Sequence, residues 1–170
     1  MSGRVIRVLV VDDSALMREM ISDFIRETPG MELAGTARDG DETLRLLDKL
    51  QPDVVTLDVQ MPRKNGLETL EEILKQHPLP VLMVSSLTQL GANTTLDALD
   101  RGAMDYIAKP DGVGPTTSAH LREELLRKIR AVAGTDVKKI IEIRRARAAK
   151  RQATAAIAPP KLPLPAAAIP

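Results

Sequence analysis

Five short strand-like runs, each followed by a stretch of helical spacing, restrict this chain to very few folds. They are Val5 to Val11, Glu32 to Ala37, Val54 to Leu57, Val81 to Val84 and Met104 to Ala108. Strands that alternate with helices through short right-handed crossovers give a parallel sheet covered on both faces, so the expectation is an α/β, doubly wound five-stranded fold. Ser14 is placed to cap the first helix, whose apolar positions are Leu16, Met17, Met20, Ile21, Phe24 and Ile25, and Pro29 and Gly30 end it. Asp39 is placed to cap the second, with Leu44, Leu47 and Leu50 inward. Leu67, Leu70, Ile73 and Leu74 mark the third helix, and Leu96 and Leu99 are the expected inward positions of the fourth, which Gly102 stops. A loop of Gly, Pro, Thr and Ser precedes a fifth helix with Leu121, Leu125, Ile129 and Val132 on one side.

The core has to be aliphatic, because the chain holds one Phe, one Tyr and no Trp, and buried parallel strands are β-branched runs of this kind. With no cysteine there is neither a disulfide framework nor thiolate chemistry, which fits a reducing compartment. The first apolar run contains Arg7 and ends at two aspartates, so it reads neither as a signal peptide nor as a membrane span. A cytoplasmic protein without membrane insertion is expected.

The near-zero net charge conceals two halves of opposite sign. Residues 1–137 carry 16 basic and 22 acidic side chains, a net of −6, whereas residues 138–170 carry eight against one, a net of +7. Residues 1–134 are therefore expected to form the folded domain, 135–152 a basic helical extension, and 153–170 an extended Ala/Pro-rich linker or tail with no core-forming content.

Chemistry points to the carboxyl ends of the strands, where open α/β sheets bind ligands. Asp12 and Asp13 end the first run, Asp58 the third, Ser85 follows the fourth and Lys109 the fifth. One aspartate after a strand is often only a helix cap. A pair joined by a third acid raises mutual repulsion, and such a set calls for a cation between its members. Carboxylates, a backbone carbonyl and waters form a hard oxygen site that suits Mg²⁺. His77 and His120 read as surface residues, so a zinc site is not expected. A carboxylate beside a divalent ion, with a lysine and a hydroxyl converging on it, is equipped for phosphoryl transfer to give an acyl phosphate.

These residues resemble the receiver domain of two-component response regulators over roughly residues 5 to 133: Asp12 and Asp13, Asp58, then Met61, Pro62, Asn65 and Gly66, Ser85, and Lys109 with Pro110. The resemblance implies a flavodoxin-like receiver fold with strand order 2-1-3-4-5. It implies that Asp58 takes a phosphoryl group from a histidine kinase, that Asp12, Asp13, Asp58 and the Gln60 carbonyl hold Mg²⁺, and that Ser85 and Lys109 contact the phosphate. Tyr106 matches the family's aromatic switch position, coupled to Ser85. The segments from Val81 to Thr88 and from Gly102 to Pro110 are most similar to the receiver of the chemotaxis protein-glutamate methylesterase (CheB) family. In that family a linker joins the receiver to a C-terminal esterase domain that acts on chemoreceptors. The chemotaxis histidine kinase, the protein's own esterase domain and the chemoreceptors are then the implied partners.

The esterase triad itself has no counterpart here, since both histidines lie inside the receiver region and no glycine-framed nucleophile serine occurs. The resemblance thus implies a regulatory input whose output domain lies elsewhere, or alternatively a stand-alone receiver that acts by phosphorylation-dependent protein binding. The basic cluster from Lys138 to Arg151 can touch phosphates without reading sequence, but no helix-turn-helix follows it, so no specific nucleic acid is expected. A bound nucleotide is equally unexpected, because two aspartates stand where a glycine-rich phosphate loop would be needed.

Overall fold

The computed structural model describes residues 3–86, 92–110 and 115–157. Its elements run β1 (Ile6–Val11), α1 (Ala15–Arg26), β2 (Met31–Ala37), α2 (Gly40–Leu50), β3 (Val54–Leu57), α3 (Gly66–Gln76), β4 (Val81–Ser86), α4 (Ala92–Arg101), β5 (Asp105–Lys109), α5 (Pro115–Val132) and α6 (Val137–Ile157). All pairings are parallel and the sheet order is β2-β1-β3-β4-β5, as expected for the doubly wound fold.

Strand alternation divides the interior in two. Leu9, Val11, Val55, Leu57, Val81 and Met83 face Leu47, Leu70 and Ile73 of α2 and α3. Val8, Val10, Val54, Leu82, Val84 and Ile107 face Ile21 and Ile25 of α1 and Leu121, Leu125 and Ile129 of α5. Both faces of β1 and β4 are therefore apolar, which is why these strands read as unbroken runs rather than as alternating ones.

The expected caps are in place: the Ser14 side chain accepts from the Met17 N–H and that of Asp39 from the Glu42 N–H. Asn65 caps α3 in the same way, accepting from the Glu68 N–H. Gly134, at φ +80, follows α5 and turns the chain toward α6.

Three expectations need correction. Leu96 does not face inward: it is 60% exposed, and Ala98 is the buried residue of α4. A helix this short against the sheet edge buries a narrow stripe, and a small residue occupies its closest approach. Thr116, Thr117 and Ser118, read as loop, lie in the first turn of α5, which begins at Pro115, a residue suited to a first helical position. The basic helix continues to Ile157 and takes in residues 153–157, read as the start of the linker. Alanine has the highest helix propensity, so Ala153, Ala155 and Ala156 extend the helix rather than end it. The remainder of the expected linker, 158–170, lies outside the described residues.

Candidate functional site

Parallel register brings the strand ends together. Val11 of β1 pairs with Leu57 of β3, and Leu57 with Met83 of β4, so Asp12 and Asp58 emerge side by side just beyond the ladder. Their backbones prolong it, with the Asp58 N–H donating to the Val11 carbonyl at 3.1 Å and the Asp12 N–H to the Ala37 carbonyl at 3.1 Å. Ser85 pairs with Ala108 and Ser86 with Lys109, which carries Lys109 to the same edge.

Carboxylate oxygens of Asp12, Asp13 and Asp58 all lie within 4.8 Å of one another. Asp12 and Asp58 are buried, whereas Asp13 is exposed at the rim. Lys109 is the cation that sits between the buried pair, with Nζ 2.7 Å from Asp12 Oδ2 and 3.4 Å from Asp58 Oδ2. The Ser85 hydroxyl donates to Asp58 Oδ1 at 3.2 Å. Burial and then the charge of Asp12 push the Asp58 carboxyl up from 3.8 to about 6, with Asp13 adding to the rise and Lys109 opposing it.

The donor set fits a hard divalent cation. Three carboxylates converge, and no histidine or sulfur ligand joins them among the described residues. Asp12 Oδ1 accepts the Ser14 N–H at 2.9 Å, whereas the buried Asp12 Oδ2 has, among the described residues, the ion pair with Lys109 and no other partner. A buried carboxylate oxygen with lone pairs to spare suits a metal ligand role.

The geometry thus gathers Asp12, Asp13, Asp58, Ser85 and Lys109. Gln60, read as the source of a carbonyl ligand, follows β3 in the loop that leads from Asp58 to α3 and is exposed. Tyr106 lies on β5, 39% exposed, with Lys128 Nζ 5.3 Å from its ring centre and donating to its carbonyl at 2.7 Å. His120 is exposed, and His77 pairs with Asp48 at 2.5 Å, so neither belongs to the site.

Three supports of the site escape a sequence reading. Arg18, one turn into α1, donates to the Asp12 carbonyl at 2.8 Å and holds the acidic turn against the helix. Lys64 crosses from the Asp58 loop to Glu72 at 2.8 Å and Asp41 at 3.5 Å, tying that loop to α3 and α2. Gly66 stands so close beneath the end of β3 that an added Cβ would lie 2.1 Å from the Asp58 carbonyl oxygen. The Pro-x-x-x-Gly spacing marks a turn there, but only the folded chain reveals the close approach.

The class follows from a doubly wound sheet in 2-1-3-4-5 order that gathers three aspartates, a serine and a lysine at its carboxyl edge. Residues 8–117 match the response regulator receiver domain, and the chain belongs to that family. Among solved structures it is similar to the response regulator domain of Thermotoga maritima CheB, with 49% identity, a TM-score of 0.72, and 78% of this chain and 99% of that one covered. In sequence it is 45% identical over 159 residues to the protein-glutamate methylesterase/protein-glutamine glutaminase of Pyrococcus abyssi, covering 94% of this chain and 43% of the relative. The same enzyme of Bacillus subtilis is 49% identical over 124 residues, 73% of this chain and 35% of the relative. The chain therefore spans less than half the length of these relatives. The similarity makes it a receiver of the CheB type. No helix among the described residues is long and apolar enough to cross a membrane.

Proposed function

We propose that this chain is the phosphoacceptor input of a chemotaxis response regulator and that Asp58 is the residue phosphorylated. The observation that carries the reading is Lys109 set between Asp12 and Asp58 within a cluster of three carboxylates. An Asp58 carboxylate oxygen attacks the phosphorus of a phosphohistidine on the kinase. The new P–O bond forms as the P–N bond breaks, and the imidazole leaves with the bonding pair. Asp58 must be ionised to attack, which its carboxyl satisfies above about pH 6 even before a metal lowers it further. Lys109 is positioned to swing its ammonium from the Asp12–Asp58 pair to an equatorial phosphoryl oxygen, and Ser85 to redirect its hydroxyl from Asp58 to the phosphoryl group.

Asp12, Asp13, Asp58 and the Gln60 carbonyl would hold Mg²⁺. When bound, the ion supplies charge neutralisation for the phosphoryl oxygens. Redirection of Ser85 withdraws a hydrogen bond from Asp58, and through β4, whose Met83 pairs with Tyr106 on β5, Tyr106 then changes its exposure. The donor is a chemotaxis histidine kinase. In a longer protein the output is a C-terminal methylesterase acting on chemoreceptors, reached through the extension that begins after Gly134. Under this reading residues 1–134 are the receiver, and the protein acts in the cytoplasm.

Incubation with acetyl phosphate and Mg²⁺ followed by intact-mass measurement tests the core of this reading. The expected result is a gain of one phosphoryl group in the native chain and none in Asp58→Asn. An equal gain in the variant, or no gain in either, rejects it.

A further inference from the structure

Helix α6 is held to the receiver at its N-terminal half and stands away from it further on. Val137 is buried, and the Ile141 side chain packs over Gly102, where an added Cβ would meet Ile141 Cδ1 at 3.1 Å. Arg144 then fixes the helix: Nη1 donates to the Leu99 carbonyl at 3.1 Å and the Ala103 carbonyl at 2.5 Å, and Nη2 to the Met104 carbonyl at 3.3 Å. Beyond this anchor a groove of about 920 Å³ opens between α4 and α6.

The two walls of the groove differ in chemistry. Leu96 and Leu99 supply the apolar wall, and Leu96 is the most exposed large aliphatic residue on the described face of α4. The opposite wall is α6, which presents Arg144, Arg147, Arg151 and Thr154. That spacing of three, four and three residues puts all four on one helix face. Lys150 adds a further positive charge to the rim, and Asp100 is the acidic lining residue. The sequence has no acid from Ile143 to Ile157. Among the described residues, no ion pair engages Arg147, Lys150 or Arg151. An apolar wall beside an unpaired cationic stripe of helical spacing is complementary to an amphipathic helix with adjacent leucine-like and acidic stripes.

We propose that the α4/α6 groove docks an acidic amphipathic helix of a partner protein. Its apolar residues seat on Leu96 and Leu99, and its carboxylates, three or four residues apart, face Arg147 and Arg151. The stretch from Arg144 to Thr154 is about 15 Å long, so an occupant of about three turns fills it. The chain's own residues 158–170 do not match, because they carry Lys161 and no acid. This surface uses none of the residues of the acidic pocket, so it stands or falls independently of the phosphoacceptor reading.

The test uses the isotope-labelled 170-residue chain and a synthetic helical peptide of about 15 residues, with leucines along one stripe and glutamates along the next. A second peptide replaces every glutamate by lysine. The expected result is saturable binding of the acidic peptide with resonance shifts at Leu96, Leu99, Arg147 and Arg151. Affinity should fall about tenfold in Arg147→Glu/Arg151→Glu and recover when the binding partner is the lysine peptide. Leu96→Ser should weaken both combinations. Far-UV circular dichroism and amide resonance dispersion report that each variant is folded. Absence of saturable binding, equal affinity for the two peptides in the native chain, or shifts confined to other faces overturns the proposal. A chain that self-associates through Leu96 and excludes the acidic peptide also overturns it, in favour of a second copy as occupant.

Discussion

In metal-free buffer Asp58→Asn is expected to stabilise the fold at neutral pH and to do little in acid. The Asp58 carboxyl is 2% exposed and faces Asp12, and its proton affinity rises from 3.8 to about 6 for those two reasons. A group whose folded value lies above its unfolded value holds its proton longer in the folded state. Stability from this group is intact below about pH 4, falls as pH rises toward 6, and stays reduced above. At about 1.4 kcal/mol per pH unit the deficit near pH 7.5 is about 3 kcal/mol, and it shrinks to a small fraction of that at pH 4. Asparagine fills the same space without the charge, and Lys109 keeps Asp12 at 2.7 Å, so no buried cation is stranded. Urea denaturation with chelator present reads the difference: with a slope of about 2 kcal/mol per molar, the midpoint should rise by about 1.5 M near pH 7.5. It should rise by no more than about 0.3 M near pH 4. A gain of the same size at both pH values would show that packing or hydrogen bonding, not titration, is responsible, and no gain at neutral pH would refute the account of the pocket.

Three other perturbations bear on different parts of the molecule. Mg²⁺ at about a hundred times its Kd should stabilise the native chain by about 2.7 kcal/mol near pH 7, and Asp13→Asn should remove most of that effect; thermal melts with and without chelator decide. Gly66→Ala must displace the Asp58 backbone, since its Cβ would lie 2.1 Å from the carbonyl oxygen, and should cost about 1–3 kcal/mol in urea unfolding while slowing acetyl phosphate labelling. Arg144→Ala removes donors from the Leu99, Ala103 and Met104 carbonyls, and amide exchange in α6 should accelerate about tenfold while the Asp58 labelling rate is unchanged. Unchanged exchange in that variant would mean that apolar contacts alone hold the helix.

The fold and the reactive cluster were legible because both are written in local pattern. The aliphatic runs of β1, β3 and β4 announce buried parallel strands, Ser14 and Asp39 mark helix starts, and the acids fall just where strands end. What escaped depends on distances between segments far apart in the chain. Nothing about Arg144 within a run of basic residues distinguishes it from its neighbours until Leu99, Ala103 and Met104 are brought beside it. Lys64 likewise reads as loop charge until α2 and α3 supply Asp41 and Glu72. Leu96 was misplaced because helical spacing locates a stripe only relative to its own helix, and the sheet selects Ala98 as the contact. The helical continuation to Ile157 was locally available in its alanines, but the prolines from Pro159 onward dominated the compositional reading.

Arg144 joins the extension to the receiver through main-chain oxygens alone. Every residue has such an oxygen, so the join places little demand on which side chains occupy positions 99, 103 and 104. The requirement falls on the path of the backbone through that corner and on one arginine in the incoming helix. Mutational drift at positions 99, 103 and 104 that keeps the backbone path leaves these three bonds in place. The same economy makes the hydrogen-bonded part of the junction portable: a helix with an arginine in register can be transplanted onto another receiver that turns the same corner, provided that apolar contacts like those of Val137 and of Ile141 over Gly102 come with it.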